Sequence, residues 1–201
     1  MSTALRLKAE NIACERGGRM VFSNVSFTVD AGEILELRGA NGSGKSSLLR
    51  LLAGLNSPTS GTLILENGAA DASLAEHAHY IGHADANKPA LTVAENLKFW
   101  SDFLEGQDIP LDAFNLNQLW ADQVLLLSAG QKRRLSLSRL LCANRPIWLL
   151  DEPDVGLDKE SRFLLHDQIT QHLEAGGMVI AATHTDLGFK TVSALNMDGS
   201  P

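Results

Sequence analysis

Along most of its length the chain alternates short apolar runs with apolar stripes at helical spacing, and turns rich in glycine and proline separate them. Val21-Phe-Ser-Asn-Val-Ser-Phe-Thr-Val29 alternates in the manner of a strand with one buried face, and Ala31-Gly32 turns it into Glu33-Ile-Leu-Glu-Leu-Arg38. Ser46-Ser-Leu-Leu-Arg-Leu-Leu-Ala-Gly54 has the spacing of a helix that stops at Gly54, and Pro58, Ser60 and Gly61 mark a turn before the strand Thr62-Leu-Ile-Leu65. A further strand is predicted over Ala78-His-Tyr-Ile-Gly82. Thr92-Val-Ala-Glu-Asn-Leu-Lys-Phe-Trp100 reads as a helix opened by a Thr cap, with Glu95 three residues later completing a capping box. From there to Asp122 the pattern predicts a helical lobe. The final third alternates helix and strand: Gly130 to Asn144, Pro146 to Leu150, Leu157 to Glu174, and Met178-Val-Ile-Ala-Ala-Thr183. Apolar strands interleaved with helices predict an α/β fold with a mainly parallel sheet.

With 201 residues, 44% of them hydrophobic, the chain suits one globular domain over 1–201, with a helical subdomain at about 85–140 inserted in the core. A net charge of -7 argues against nucleic acid as a partner, because neutralising phosphates needs clustered Lys and Arg. The one short basic run, Lys132-Arg133-Arg134, falls inside a predicted helix. Cys14 and Cys142 are too few for a disulfide framework and lack metal-ligand spacing, so a reduced, cytoplasmic setting is expected. The first ten residues carry no apolar signal core, and no segment approaches eighteen uninterrupted apolar residues; neither secretion nor a membrane crossing is expected.

Gly39-Ala40-Asn41-Gly42-Ser43-Gly44-Lys45-Ser46 follows a predicted strand and opens a predicted helix, the context a G-x-x-x-x-G-K-[ST] phosphate loop requires. The glycines let backbone N–H groups curl around phosphates, Lys45 places a compact charge at the β and γ phosphates, and the helix points its N-terminus at the anion. The Ser46 hydroxyl is suited to Mg²⁺, and Ser47 to the α phosphate. The expected ligands are therefore ATP and Mg²⁺. Pro146-Ile-Trp-Leu-Leu-Asp-Glu152 carries two adjacent carboxylates out at a strand's C-terminal end, where α/β sheets place ligands. Neighbouring strand residues face opposite ways, which assigns Asp151 to Mg²⁺ and leaves Glu152 to polarise the attacking water as general base.

Leu127-Ser-Ala-Gly-Gln131 is one residue away from the LSGGQ signature of ATP-binding cassette (ABC) ATPases, and it stands in that family's order: phosphate loop, signature, acidic strand, histidine. The chain resembles that family. The resemblance implies a P-loop NTPase core of ABC ATPase type with an N-terminal antiparallel β portion and a helical subdomain carrying the signature. It also implies that His184 is the switch histidine at the γ phosphate, that Asp154-Val-Gly-Leu-Asp158 is the D-loop, and that Ser128, Ala129, Gly130 and Gln131 cover the nucleotide of another subunit. A single cassette then needs a second cassette subunit as partner, either a homodimer or a paired chain, with ATP sandwiched and Asp158 near the seam.

Two positions depart from the family pattern. Where its Q-loop glutamine should follow the strand ending at Gly82, the chain reads His83-Ala84-Asp85, with Ala84 in the glutamine's place. Either Asp85 or His83 substitutes, or the coupling runs through backbone. The aromatic that stacks on adenine should lie near Cys14-Glu-Arg-Gly-Gly18, and there Arg16 is either a guanidinium platform for the base or a solvated loop residue.

Within the family, several stretches resemble the ATPase subunits of the haem exporter of cytochrome c biogenesis: Ala13-Cys-Glu-Arg16, Gly82-His83 followed by Lys88-Pro-Ala-Leu-Thr-Val-Ala-Glu-Asn-Leu97, and Leu127-Ser-Ala-Gly-Gln-Lys-Arg-Arg134. That resemblance implies a peripheral subunit on the cytoplasmic face of the bacterial inner membrane, docked on multi-span membrane subunits and driving haem delivery to a periplasmic chaperone. The ATPase of another small exporter and a soluble ABC ATPase of iron-sulfur cluster assembly remain as alternatives. His77, His79 and His83 invite a haem-ligand reading, but their place on or beside a strand favours solvent-facing or Q-loop roles. Trp100 and Phe103 read as the apolar edge of a groove for the membrane partner, or as core.

Overall fold

The computed structural model describes residues 4–69, 72–106, 110–184, 187–189 and 192–198. It divides into two compact units, residues 1–80, 145–152 and 171–201 in one, residues 81–144 and 153–170 in the other.

The first unit holds two sheets. Strand β1 (Arg6–Arg16) pairs antiparallel with β2 (Arg19–Asp30) and with β4 (Ser60–Glu66), in the order β2-β1-β4. The β1–β2 hairpin closes on Gly17 and Gly18 at φ 58° and 77°, the left-handed pair that a two-residue turn between right-twisted strands demands. The second sheet runs β5-β6-β7-β3-β8, built from β3 (Ile34–Arg38), β5 (Ala78–Ile81), β6 (Ile147–Asp151), β7 (Met178–Ala182) and β8 (Ser193–Asn196). Strand β7 lies parallel between β6 and β3, and β8 runs parallel on the far side of β3. Every residue of β6 and β7 is buried, which explains why both read as unbroken apolar runs rather than alternating ones. Helix α1 (Lys45–Leu52) buries Leu48, Leu49, Leu51 and Leu52 in one core with Leu35 and Leu37 of β3, Phe22 of β2 and Ile147 and Leu149 of β6.

In the second unit, α2 (Val93–Phe103) starts where predicted: Thr92 Oγ1 accepts the Glu95 N–H, and the Glu95 carboxylate accepts the Thr92 N–H in return. The expected helical lobe is less helical than its composition suggests. After Pro110 the chain makes only single 3₁₀ turns at Leu111–Phe114, Asn117–Leu119 and Val124–Leu126, the first of them stopped by Asn115 in the left-handed region. Residues 107–109 of that lobe lie outside the described residues. Helix α3 (Ala129–Ser138) is shorter than the predicted Gly130-to-Asn144 segment and gives way to a 3₁₀ turn over Arg139–Leu141. The Ser138 hydroxyl donates back to the Arg134 carbonyl there, a side-chain bond that competes with the helical ladder. Helix α4 (Lys159–Glu174) opens at Asp158, whose carboxylate accepts the Ser161 N–H. Among the described residues no helix is long and apolar enough to cross a membrane.

Candidate active site

Buried strand β3 delivers the chain into the loop 39–44, and α1 begins at the next residue. Gly44 at φ 102° is the helix N-cap, and a Cβ on it would stand 2.9 Å from the Phe22 ring, so glycine is required on both conformational and packing grounds. Lys45 Nζ donates across the loop to the carbonyls of Gly39 and Ala40 at 2.6 and 2.9 Å. These bonds hold the ammonium at the loop mouth, where an anion in the loop would meet it. Ala40 N–H donates to Asp198 Oδ1 at 2.7 Å, a clamp from 158 residues away that no sequence pattern announces. Asn41 is exposed, and Ser47, the third residue of α1 and next to Ser46, is half-buried. Ser43 Oγ is buried without a hydrogen-bond partner among the described residues, a donor suited to a phosphate oxygen.

Ser46 Oγ donates to Asp151 Oδ1 at 3.0 Å, so the two side chains expected to hold a divalent cation meet. A hydroxyl beside a carboxylate fits Mg²⁺, a hard cation that usually takes one or two protein oxygens and completes its shell with phosphates and water. The described residues contain no cluster of three His, Cys, Asp or Glu that would make a protein-only metal cage. Tyr80 on β5 completes this corner. Its phenol accepts from Arg50 and donates to Asp151, and burial pushes its pKa up. No sequence pattern marks Tyr80, because its place beside Asp151 comes from the adjacency of β5 and β6.

The two carboxylates separate by a different device from strand alternation. Strand β6 ends at Asp151, and Glu152 takes a left-handed backbone at φ 49° while its N–H donates to the Ala182 carbonyl at 2.8 Å. A left-handed conformation strains a residue with a side chain, and it is held here by the parallel register that pairs Asp151 with Ala182. His184, two residues beyond β7, places Nε2 3.6 Å from Glu152 Oε1.

Arg16 is exposed at the end of β1, opposite Arg19 across the Gly17–Gly18 turn. The same hairpin presents Val21 and Phe22 to Gly44, which brings this end of the sheet to the phosphate loop.

In the second unit, Ser128 caps α3: its Oγ accepts the Gln131 N–H at 3.2 Å, and Gln131 Oε1 accepts the Ser128 N–H at 2.8 Å. Ser128 and Ala129 are exposed, and Gly130 faces the Gly156 carbonyl, 3.2 Å from where a Cβ would stand. Capping uses one lone pair of Ser128 Oγ and leaves its hydroxyl hydrogen for an acceptor outside the helix. Ala84 is exposed, whereas Asp85 is tied to Arg133 at 3.3 Å. His77 is engaged locally, its Nε2 accepting from Ala69 N–H and its Nδ1 beside the Ser73 carbonyl, and His79 is buried in β5. Phe99, Trp100 and Phe103 form an aromatic cluster, with Lys88 over the Phe99 ring and Arg139 over Trp100. Phe103 remains 67% exposed.

The ABC transporter family matches residues 22–155. The cytochrome c biogenesis ATP-binding export protein CcmA of Bradyrhizobium diazoefficiens is 48% identical over 188 residues, covering 92% of this chain and 94% of its own. The protein of the same name from Paramagnetospirillum magneticum is 48% identical over 202 residues, covering 94% and 93%, and that of Brucella abortus is 45% identical, covering 92% and 87%. Among solved structures, an ATP-binding subunit of an ABC transporter superposes with a TM-score of 0.79 at 23% identity, over 89% of this chain and 79% of that one. An ABC transporter ATP-binding protein from Pyrococcus furiosus gives 0.78 at 19% identity, over 96% and 97%. At such identities these two structures speak for the fold, which is that of the ABC ATPases.

Proposed function

The chain belongs to the CcmA family of cytochrome c biogenesis ATP-binding export proteins, within the ABC transporters, and from that premise we propose that it binds and hydrolyses ATP as the motor subunit of a haem exporter. One observation carries the chemistry: the phosphate loop, the Ser46–Asp151 pair and the Glu152–His184 pair all stand at the C-terminal ends of β3, β6 and β7. The loop backbone from Gly39 to Gly44, with Asn41, Ser43, Lys45, Ser46 and Ser47, holds the triphosphate, and Arg16 lies against the base. Ser46 and Asp151 would hold Mg²⁺, which would supply positive charge against the phosphates. Glu152 accepts a proton from the attacking water as its oxygen bonds to the γ phosphorus, the bond from that phosphorus to the β–γ bridging oxygen breaks, and ADP departs with that oxygen, leaving inorganic phosphate. His184, 3.6 Å from the Glu152 carboxylate, orients it once the pair closes on the substrate and contacts the γ phosphate.

Ser128, Ala129, Gly130 and Gln131 have exposed or half-exposed helix-start positions and serve the nucleotide of a second cassette, most simply a second copy of this chain. Residues 1–201 act as one ABC ATPase domain, with the helical subdomain near 85–140. The exposed rings of Phe99 and Phe103, next to the half-buried Trp100, support an edge on which multi-span membrane subunits dock, with the subunit then peripheral on the cytoplasmic face of the inner membrane.

The test is a pull-down of the Glu152→Gln subunit from its native cells in gentle detergent with ATP present, read by mass spectrometry. Multi-span cytochrome c maturation subunits are the expected companions. Recovery of soluble scaffold proteins or an unrelated permease would leave an ATPase and remove the haem pathway.

A further inference from the structure

Arg133 is 5% exposed, yet nothing in the hydrolytic scheme above uses it. It sits on α3, five residues after Ser128, and its guanidinium reaches two other segments of the same unit. Nη1 donates to the Gly82 carbonyl at 2.9 Å and to Asp85 Oδ1 at 3.3 Å; Nε donates to the Pro153 carbonyl at 3.3 Å. Pro153 is covalently next to Glu152, and Gly82 to Asp85 is the stretch in which Ala84 replaces an amide side chain. Asn87 reinforces the same junction by donating to the Lys132 carbonyl at 2.8 Å.

We propose that Arg133 is a positioning residue of the ATPase cycle, whose guanidinium locks the 82–85 segment and the loop leaving Glu152 to the signature helix so that the three move as one piece. The inference rests on the ATPase reading above. Stability alone gives no reason for this arrangement. Taking a guanidinium out of water costs several kcal/mol, and breaking even with an apolar side chain requires excellent pairing. Of the three acceptors described above, two are neutral carbonyls, and the carboxylate, Asp85, also faces the buried cation Arg139, whose pKa is pushed down to about 10 chiefly by burial. What the guanidinium supplies is geometry, because its planar fork fixes the directions of several donors at once, and a lysine ammonium cannot do so. Ala84 offers no side-chain link between the strand end and the catalytic loop, and Arg133 makes one from the opposite direction, through the Gly82 backbone. Asp85, one of the residues weighed as a glutamine substitute, is instead the anchor of this fork.

The test is steady-state ATP hydrolysis by the full chain in its complex for Arg133→Gln, Arg133→Lys and Asp85→Asn, with Glu152→Gln as reference and ATP affinity measured separately. A positioning role requires kcat to fall by about 10- to 100-fold in both Arg133 variants, the scale for an ångström of misplacement, with KM for ATP and ATP affinity unchanged. Lysine should not rescue. Asp85→Asn should lose less, and its loss should not add to that of Arg133→Gln. Wild-type kcat in the Arg133 variants, or a KM that rises as kcat falls, overturns the proposal. If Arg133→Gln fails to melt cooperatively, Asp85→Asn decides, and an unchanged kcat in it overturns the proposal as well. Normal turnover by Glu152→Gln would instead sink the ATPase reading itself.

Discussion

Glu152 Oε1 and His184 Nε2 lie 3.6 Å apart because parallel strands β6 and β7 end in register and each releases its chain toward the other. The Glu152 N–H bond to the Ala182 carbonyl fixes the acidic side of this pair from the backbone. The separation is too long for a hydrogen bond of good geometry, and a small shift of either side chain would close it. A catalytic pair that tightens only around its substrate commonly has such spacing.

If Glu152 is the general base, Glu152→Gln keeps the shape and removes the proton acceptor. We expect kcat to fall by about two to four orders of magnitude, with ATP affinity retained. His184→Ala removes the orienting partner but leaves the base, so its loss should be smaller. Single-turnover hydrolysis together with ATP binding by calorimetry separates the two effects, and equal turnover in wild type and Glu152→Gln would falsify the assignment.

The left-handed backbone of Glu152 gives a second expectation of opposite sign for stability and activity. An L-residue in that region costs about 1–2 kcal/mol relative to the right-handed form, and glycine largely escapes the cost. Glu152→Gly should therefore raise stability by about 1 kcal/mol in urea unfolding, while abolishing hydrolysis. A destabilised Glu152→Gly would show that the side chain, not the strain, dominates at this position.

The parts of the site legible in the sequence were those in which one contiguous segment carries its own geometry. Glycines around Lys45 and the apolar strand before Asp151 each announce a local shape that the structure contains. Residues joined only by the fold were invisible. Asp198 reaches Ala40 across 158 residues, and Tyr80 meets Asp151 because β5 happens to neighbour β6. Local rules also misled where side chains compete with the backbone ladder, as Ser138 does at the end of α3, and where the residue after a strand leaves its alternation, as Glu152 does. In the lobe after α2, Pro110 and the left-handed Asn115 restrict the chain to single turns, and Trp120, Leu125 and Leu126 stay exposed.

Arg16 offers a test of how the base is held. A guanidinium over an exposed aromatic face contributes about 0.5–1 kcal/mol, which is roughly two- to fivefold in affinity. Arg16→Ala should weaken ATP binding by that factor while leaving inorganic tripolyphosphate, which has no base, bound as before. Equal ATP affinity in both proteins would return Arg16 to the solvent.

The half-buried His172 stacks on Trp148, with ring centroids 3.9 Å apart and planes 8° from parallel, and we expect it to contribute to the acid side of the stability profile. Burial is the first cause pushing the His172 pKa down to about 4, against an ordinary 6.5, while backbone of Met178 and Pro146 partly opposes it. The folded protein therefore keeps this ring neutral where the unfolded chain protonates it. The sign follows: the unfolded state binds more protons between about pH 4 and 6.5, so stability is full above about pH 6.5 and declines as pH falls to about 4. His172→Phe preserves a flat ring against Trp148, and among the described residues Nε2 is buried without a hydrogen-bond partner, so a carbon edge is compatible with that side of the pocket. We expect the variant to lose much of the decline between pH 6.5 and pH 5, whatever its stability at pH 7, when urea midpoints are compared at the two values. Parallel declines in wild type and variant would assign the acid sensitivity to other groups.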